Sequence, residues 1–561
     1  MPKISELPAH HPLRKRHEKL QEEIGVFQCR VARLLVILLM CVHPLYFNAE
    51  KYFHLTRHKF VFFMICVGVV LLLVAIIWAA RMTRTPRLLP QDKLHVVDVA
   101  ILGFAAVTLI SALLSPFRSE INVWIGITEP GGRYDGAITQ LAYVAVFFVV
   151  SRWYRPRTND FVVFGISASI VALIGILQFY NMDFLGLWPI DDERFAADNL
   201  FNIFFRSTLG NTNIVSTYVC VAILLCGFLY IKIRPRPAPE ESQGDEGAAA
   251  GTGTHKLRLW KRLAQNSSAF RQYLWLAASA LNFWLMDLAD ADSGRVGVLA
   301  VMLVAIPFIV ETRRTLGKTL ILGASWLAAY TAQNLLYDVM VLQARTILSL
   351  IPYAAAAVLL FAGGIFLVVW GKGREPGPND PVKWKLGVII IGVCLVAGIA
   401  GVEFLGRQDA AAGGINFVYE AREMLHGRVR DEFGTNRVYI WRNALQALPK
   451  NPVIGSGPDT FGSAFPGPAH MRYGEYYSNA HNEYIQILIC QGILGIVFYL
   501  CFHGGLILRS VGKAFRNPML MAALAAFAGY CAQSLFNLST PICSPMLWVL
   551  AGLLGSERVR E

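Results

Sequence analysis

The chain has 561 residues, 55% of them hydrophobic and 16% charged, with a mean hydropathy of +0.46. Soluble domains carry about 25% charged residues, so this composition excludes a soluble enzyme and points to an all-α, polytopic integral membrane protein. The net charge of +13 would suggest nucleic acid in a soluble chain. In a membrane protein the placement of Lys and Arg around the spans is what matters, and no nucleic-acid partner is expected.

Residues 1–30 form a basic N-terminal segment containing Arg14, Lys15 and Arg16. The apolar run 31–47 follows without a small-residue cleavage site and continues through Pro44 and Tyr46, so it reads as an uncleaved first helix. Runs at 60–80, 96–114, 137–153, 161–179 and 214–231 come next, each long enough to cross about 30 Å of hydrocarbon as a helix. The segment GGRYDG, with Arg133 and Asp135, precedes the fourth run, and LGNTN, with Gly210, Asn211 and Asn213, precedes the sixth. From Arg234 to Thr254 the chain is rich in Pro, Glu, Gly and Ala, the composition of a flexible linker, inside a polar segment spanning 232–272.

Further runs lie at 273–289, 296–310, 319–335, 350–370 and 386–405, the third of these polar at Ser325, Thr331, Gln333 and Asn334. After the long segment 406–482 come 483–508, 519–535 and a short last run, 541–555, which holds Pro541 and Pro545. The expected architecture is therefore a membrane region at 31–405, a small extracytoplasmic helical domain at 406–482, and C-terminal transmembrane helices at 483–561. About fourteen runs, read as about 12–14 transmembrane helices, put both termini on one side. If that side is the cytoplasm, the inner segments carry about twice as many Lys and Arg as the outer ones, as the positive-inside rule requires. Arg81, Arg84 and Arg87, then Arg152, Arg155 and Arg157, then Arg313, Arg314 and Lys318, then Arg509, Lys513 and Arg516 all fall on the inner side. The ten cysteines lie in the spans or at their edges, so no disulfide framework is expected. Nothing matches a Walker loop, a Rossmann glycine pattern or zinc-ligand spacing.

The long outer segment is the informative one, because long loops usually carry function. The stretch TNRVYIWRNALQALPKNP reads as one helix with Thr435 as N-cap. Val438, Trp441, Leu445 and Leu448 form its apolar stripe and Pro449 its end. At 100° per residue Arg442 points about 140° away from Arg437. A turn through Gly455, Ser456, Gly457 and Pro458 leads on to SNAHNEYIQILICQGILG, where His481 stands at the outer N-terminus of a membrane helix.

These residues resemble the O-antigen ligase and polymerase superfamily, whose C-terminal signature has an Arg and a Trp on a helix, a P-x-x-G-x-G turn and a His-Asn opening the next membrane helix. The matching positions are Arg437, Trp441, Pro452, Gly455, Gly457, His481 and Asn482, followed by Gly492 and Gly495. The LGNTN segment, DSGR with Ser293 and Arg295, and GGRYDG are also similar to that family, although Gly294 separates Ser293 from Arg295 where the family commonly has Ser directly followed by Arg. The resemblance implies an integral membrane glycosyltransferase on the outer face of the bacterial plasma membrane. It would use a glycan on undecaprenyl diphosphate as donor and a glycan or lipid-glycan hydroxyl as acceptor, without a metal ion or other cofactor.

Such a transfer needs a base for the hydroxyl proton and cations for the leaving diphosphate. Arginine forks onto phosphate oxygens and stays charged, and a histidine at a helix N-terminus is favoured in its neutral form, a free base. His481, Arg437 and Arg295 are therefore the expected catalytic residues, with His481 as base and the arginines on the diphosphate. Arg442, Asn482, Arg133, Trp441 and Arg206 are the candidates for substrate binding; Arg472 could also line the site. His426 and His470 have no motif context. Asp290 and Asp292 form a D-x-D that reads as outer-loop charge near Arg295, and Asp287 and Glu403 lie where a carboxylate is costly unless paired or wet. A protein O-oligosaccharyltransferase would share this signature. A glycolipid transporter or flippase would explain the spans equally well, but broken helices and midplane charge, which transporters typically carry, are not evident in the sequence.

Overall fold

The computed structural model describes residues 11–52, 54–84, 94–127, 132–188, 205–233, 252–341, 349–370, 384–411, 417–470 and 476–556. Its helices, in chain order, are α1 (Pro12–Ile37), α2 (Leu55–Arg84), α3 (Val96–Leu114), α4 (Ile121–Ile125), α5 (Ala137–Trp153), α6 (Thr158–Phe179), α7 (Thr212–Lys232), α8 (Thr252–Leu288), α9 (Asp292–Val304), α10 (Ile306–Ile309), α11 (Arg313–Val341), α12 (Ile351–Trp370), α13 (Trp384–Ala411), α14 (Phe417–Leu425), α15 (Arg437–Ala444), α16 (Phe461–Ala464), α17 (Gly467–His470), α18 (Glu483–Ala514), α19 (Pro518–Gln533) and α20 (Ser544–Gly555). Among the described residues the only strands are a two-residue antiparallel pair, Phe205–Arg206 against Gly210–Asn211. The all-α membrane class expected from composition is the one observed.

Nine helices among the described residues are long and apolar enough to cross a membrane, and α5 and α20 are shorter apolar helices. The three remaining expected spans fall on α8, α9 and α11, which are helical but not both long and apolar enough. Most of the expected linker, 234–251, and Arg472 lie outside the described residues. Helix α8 begins at Thr252, within the polar segment 232–272. All ten cysteines are free thiols.

The chain divides into two compact units. One comprises Met1–Asp160, Asp431–Ser510 and Ser534–Glu561; the other comprises Phe161–Arg430 and Val511–Gln533. The segment 406–482, expected as one outer domain, is thus shared between them at Asp431.

In the first unit α5 packs closely on α20. A Cβ on Gly552 would lie 2.6 Å from Cβ of Val150, so glycine lets the two backbones approach. Tyr143 stacks on Trp548 at 5.7 Å between ring centroids, and Trp548 stacks on Phe502 of α18 at 5.6 Å.

The second unit is built around α7, which is 94% buried over its apolar stretch, whereas the middle of the α13 span has no buried residue, as a helix facing lipid would show. Gly297 of α9 meets the Gly529 carbonyl of α19, where a Cβ would come within 2.7 Å. Gly294 of the DSGR segment has a similar cause: a Cβ there would meet Ser216 Oγ at 2.5 Å, and its N–H donates to that oxygen at 2.8 Å.

Helix α18 is broken. Gly492 has φ 70° and ψ −171°, which ends one helical segment and starts another. The P-V-I-G-S-G turn bridges the break: Ser456 and Gly457 N–H groups donate to the Ile489 and Cys490 carbonyls at 3.0 and 2.8 Å, and Ile493 and Leu494 N–H groups donate to the Pro452 and Val453 carbonyls at 2.9 and 3.1 Å. The backbone groups that a helix break orphans are therefore satisfied by the turn. A broken helix not evident in the sequence is thus present, and its open ends are closed by protein.

Candidate functional site

Helix α15 turns only part of its expected stripe to the core: Trp441 and Leu448 pack partly buried against it, and Leu445 does not. Its buried residues are Tyr439, Ile440 and Ala444, while Leu445 is exposed. These residues pack with Ala447, Phe461, Phe465 and Tyr477, so the aromatic loop that follows the helix decides which face is covered. The helix is also shorter than expected, Arg437–Ala444. Its N-cap is Asn436 in a left-handed conformation with no side-chain cap, not Thr435, which is itself left-handed.

His481 lies two residues before α18, with φ 46°. A non-glycine residue in this region is strained, and such strain clusters at functional sites. The residues on either side hold it. The Trp441 indole donates to the Ala480 carbonyl at 2.8 Å, Asn479 Oδ1 accepts from the His481 N–H at 2.9 Å, and Asn482 Oδ1 accepts from the Tyr484 and Ile485 N–H groups at 3.0 Å, which makes Asn482 the N-cap of α18. Nδ1 of His481 is buried without a hydrogen-bond partner. Burial first, then the Arg437 and Arg133 charges, push the pKa of His481 down to about 4. The neutral imidazole expected from the helix dipole is present, but burial and the two arginines are what hold it neutral.

Arg133 ties this segment together from 345 residues away in sequence. Its guanidinium pairs with Asp459, donates through Nη2 to the Ser478 carbonyl at 2.8 Å, and through Nη1 to Ser478 Oγ at 3.2 Å. Asp459 also accepts from the Ile127 N–H at 2.7 Å. Beneath lies a small cavity of about 30 Å³ whose polar lining, Arg133, Asp135, Gln140, Asp459, Glu483 and Gln491, is set among apolar residues such as Phe104, Ile487 and Trp548. Burial, with Asp459 and Glu483 nearby, raises the Asp135 carboxyl well above the usual carboxylate range, and Ser539 donates to it at 3.3 Å. Glu483 accepts from the Tyr499 hydroxyl. Sequence reasoning missed Asp459, Glu483 and Ser478; the D of the P-D-T turn and the E following His-Asn were the available signals.

The other candidates have partners of their own. Arg442 pairs with Asp431 at 2.7 Å on an exposed face. Arg295, in the second unit, is held by Asp292 at 2.7 Å, Asp287 at 3.0 Å and Asp290 at 3.4 Å, which accounts for the D-x-D pair. Asp287 also accepts from Gln333 at 2.6 Å. Arg206, in the same unit, is buried over the Phe179 and Trp188 rings at 5.4 and 6.0 Å. Glu403 is paired with Arg407, Arg422 and His426, and His470 stacks on Tyr476. Among the described residues no three His, Cys, Asp or Glu side chains are gathered to hold a metal ion.

Fold and composition thus define an all-helical, multi-pass membrane protein. Residues 339–500, under a third of the chain, match the family model described as O-antigen ligase, which associates this part of the chain with membrane glycan-transferring ligases and polymerases. The matched stretch contains Arg437, Trp441, Asp459, His481 and the Gly492 break. No curated protein matches the chain.

Proposed function

We propose that the protein is a lipid-linked glycan transferase of the outer face of a bacterial plasma membrane. It moves a glycan from undecaprenyl diphosphate to an acceptor hydroxyl and needs no metal ion. The reading rests on one observation above all: a neutral, conformationally constrained His481 beside the Arg437 and Arg133 charges. A neutral imidazole with an unpartnered nitrogen can take the acceptor proton, and a fixed guanidinium can stabilise the charge that develops on the leaving diphosphate. In this reading Arg437 binds the diphosphate, and Arg442, Asn482, Trp441 and Arg133 shape the donor and acceptor sites.

The test is the glycan profile of a deletion strain complemented with wild type, His481→Ala or Arg437→Ala at matched membrane levels. Loss of transfer with accumulation of lipid-linked donor is the expected result. The missing product, a long polymer, a joined lipid conjugate or a glycoprotein, separates polymerase from ligase from protein glycosylation. Unchanged glycans in both variants would remove these residues from the mechanism and favour a flippase.

A further inference from the structure

At the opposite end of α5 from Asp135, about 25 Å along a helix of this length, lies a second cavity, of about 770 Å³. It is walled by one face of α1, including Glu22, Arg30 and Arg33, and by the loop Arg155, Pro156 and Arg157. Four guanidinium groups thus border one hollow, and its size falls within the range of about 300–1,000 Å³ of small-molecule sites. Among the described residues Arg30, Arg155 and Arg157 have no acidic side-chain partner, whereas Arg33 pairs with Asp160 at 2.6 Å.

That pair makes the hollow a built one. Asp160 is buried and also accepts from the Tyr154 hydroxyl at 2.9 Å and the Arg157 N–H at 3.1 Å. One carboxylate therefore clamps the backbone of the Arg155–Arg157 loop to α1, beside the exposed Arg30, Arg155 and Arg157 side chains. With Asp160 neutralising Arg33, and Glu22 the one other acidic side chain, the cavity keeps an excess of positive charge.

We propose that this cavity binds a phosphate group at the membrane face opposite His481, supplied either by the head group of an anionic phospholipid or by a soluble phosphate. Arginine suits that ligand because its fork meets phosphate oxygens in pairs. Basic pockets between membrane helices on the cytoplasmic side bind anionic head groups by the same chemistry. The proposal does not depend on the glycan-transfer reading.

The test uses the full chain in nanodiscs of phosphatidylcholine doped with phosphatidylglycerol, and compares wild type with Arg30→Gln/Arg155→Gln/Arg157→Gln and with Arg118→Gln as a control elsewhere in the unit. The triple variant keeps the Asp160 clamp, because Arg157 contributes only its backbone N–H to it. Native mass spectrometry reads which lipid is retained on release, and thermal shift reads the response to inorganic phosphate. Wild type and Arg118→Gln should retain phosphatidylglycerol preferentially, with the preference falling about fivefold for each cavity arginine removed. A phosphate-induced shift in wild type alone, without lipid preference, would assign the soluble source. Equal lipid retention and equal phosphate response in wild type and the triple variant would overturn the site. If the triple variant does not fold, Arg155→Gln/Arg157→Gln serves for the same comparison.

Discussion

The Trp441 indole donates its N–H to the carbonyl of Ala480, the residue directly before His481, at 2.8 Å. The spacing of Arg437, Trp441 and His481-Asn482 along the sequence thus has a physical meaning: the helix that carries Arg437 also fixes the backbone that carries His481. Trp441→Phe keeps the ring and removes the donor. The unpaired carbonyl should cost about 1–3 kcal/mol, and a displaced His481 should lower transfer by about 10–100-fold. Thermal melts in detergent and an in vitro transfer assay read the two effects separately.

The pairing of Arg133 with Asp459 joins side chains that are 8% and 1% exposed. Removing one partner of a buried pair costs about 3–5 kcal/mol, because the other charge is stranded. Asp459→Asn should therefore lower the melting temperature sharply, and Arg133→Met in that background should restore much of it. A double-mutant cycle gives the coupling.

His481 is neutral in the fold at pH 7, with a pKa of about 4 against 6.5 for a free histidine. The unfolded chain binds the proton more readily, so this residue's contribution to stability is complete above about pH 6.5 and declines as pH falls toward 4. Stability measured from pH 7 to pH 4 should fall more steeply for wild type than for His481→Gln. Transfer by wild type should stay flat above pH 5 and drop below it.

Gly455 and Gly492 both have positive φ, 73° and 70°, and a Cβ on either would come within 2.3–2.4 Å of backbone atoms across the helix break. Alanine at either position should cost about 1–3 kcal/mol from backbone conformation alone, with steric overlap in addition. Reduced yield of folded protein on size exclusion is the expected outcome for both.

Arg442 is 58% exposed and pairs with Asp431. Exposed ion pairs contribute about 0–1 kcal/mol, so Arg442→Ala should leave stability nearly unchanged. A large loss of transfer with stability intact would support the substrate role of Arg442, and unchanged transfer would remove it from the site.

The membrane architecture was legible because it depends on local composition: the runs at 96–114 and 137–153 coincide with α3 and α5. His481 and Arg437 were candidates through motif spacing, and the Arg437 charge does act on His481 in the structure. Asp459 was not, because its meaning comes from Arg133, 326 residues away, and no periodicity links the two. The face of α15 was legible only in part for a related reason: Trp441 and Leu448 do pack against the core, but Phe461, Phe465 and Tyr477 bring Tyr439, Ile440 and Ala444 to its centre and leave Leu445 exposed. Arg295 carries the family-like DSGR pattern, yet three surrounding aspartates, distributed over two helices and the turn between them, decide its electrostatic surroundings.

The turn at Pro452–Gly457 acts as a splint across the break in α18. The loop that contains this turn is consequently not a cassette that could be exchanged between membrane scaffolds. Its hydrogen bonds complete a transmembrane helix, and that helix presents the histidine. Transplanting residues 431–482 alone would leave an unsplinted fracture in the recipient and a loop without its anchor, whereas a graft extended through Leu494 would carry both halves of the joint.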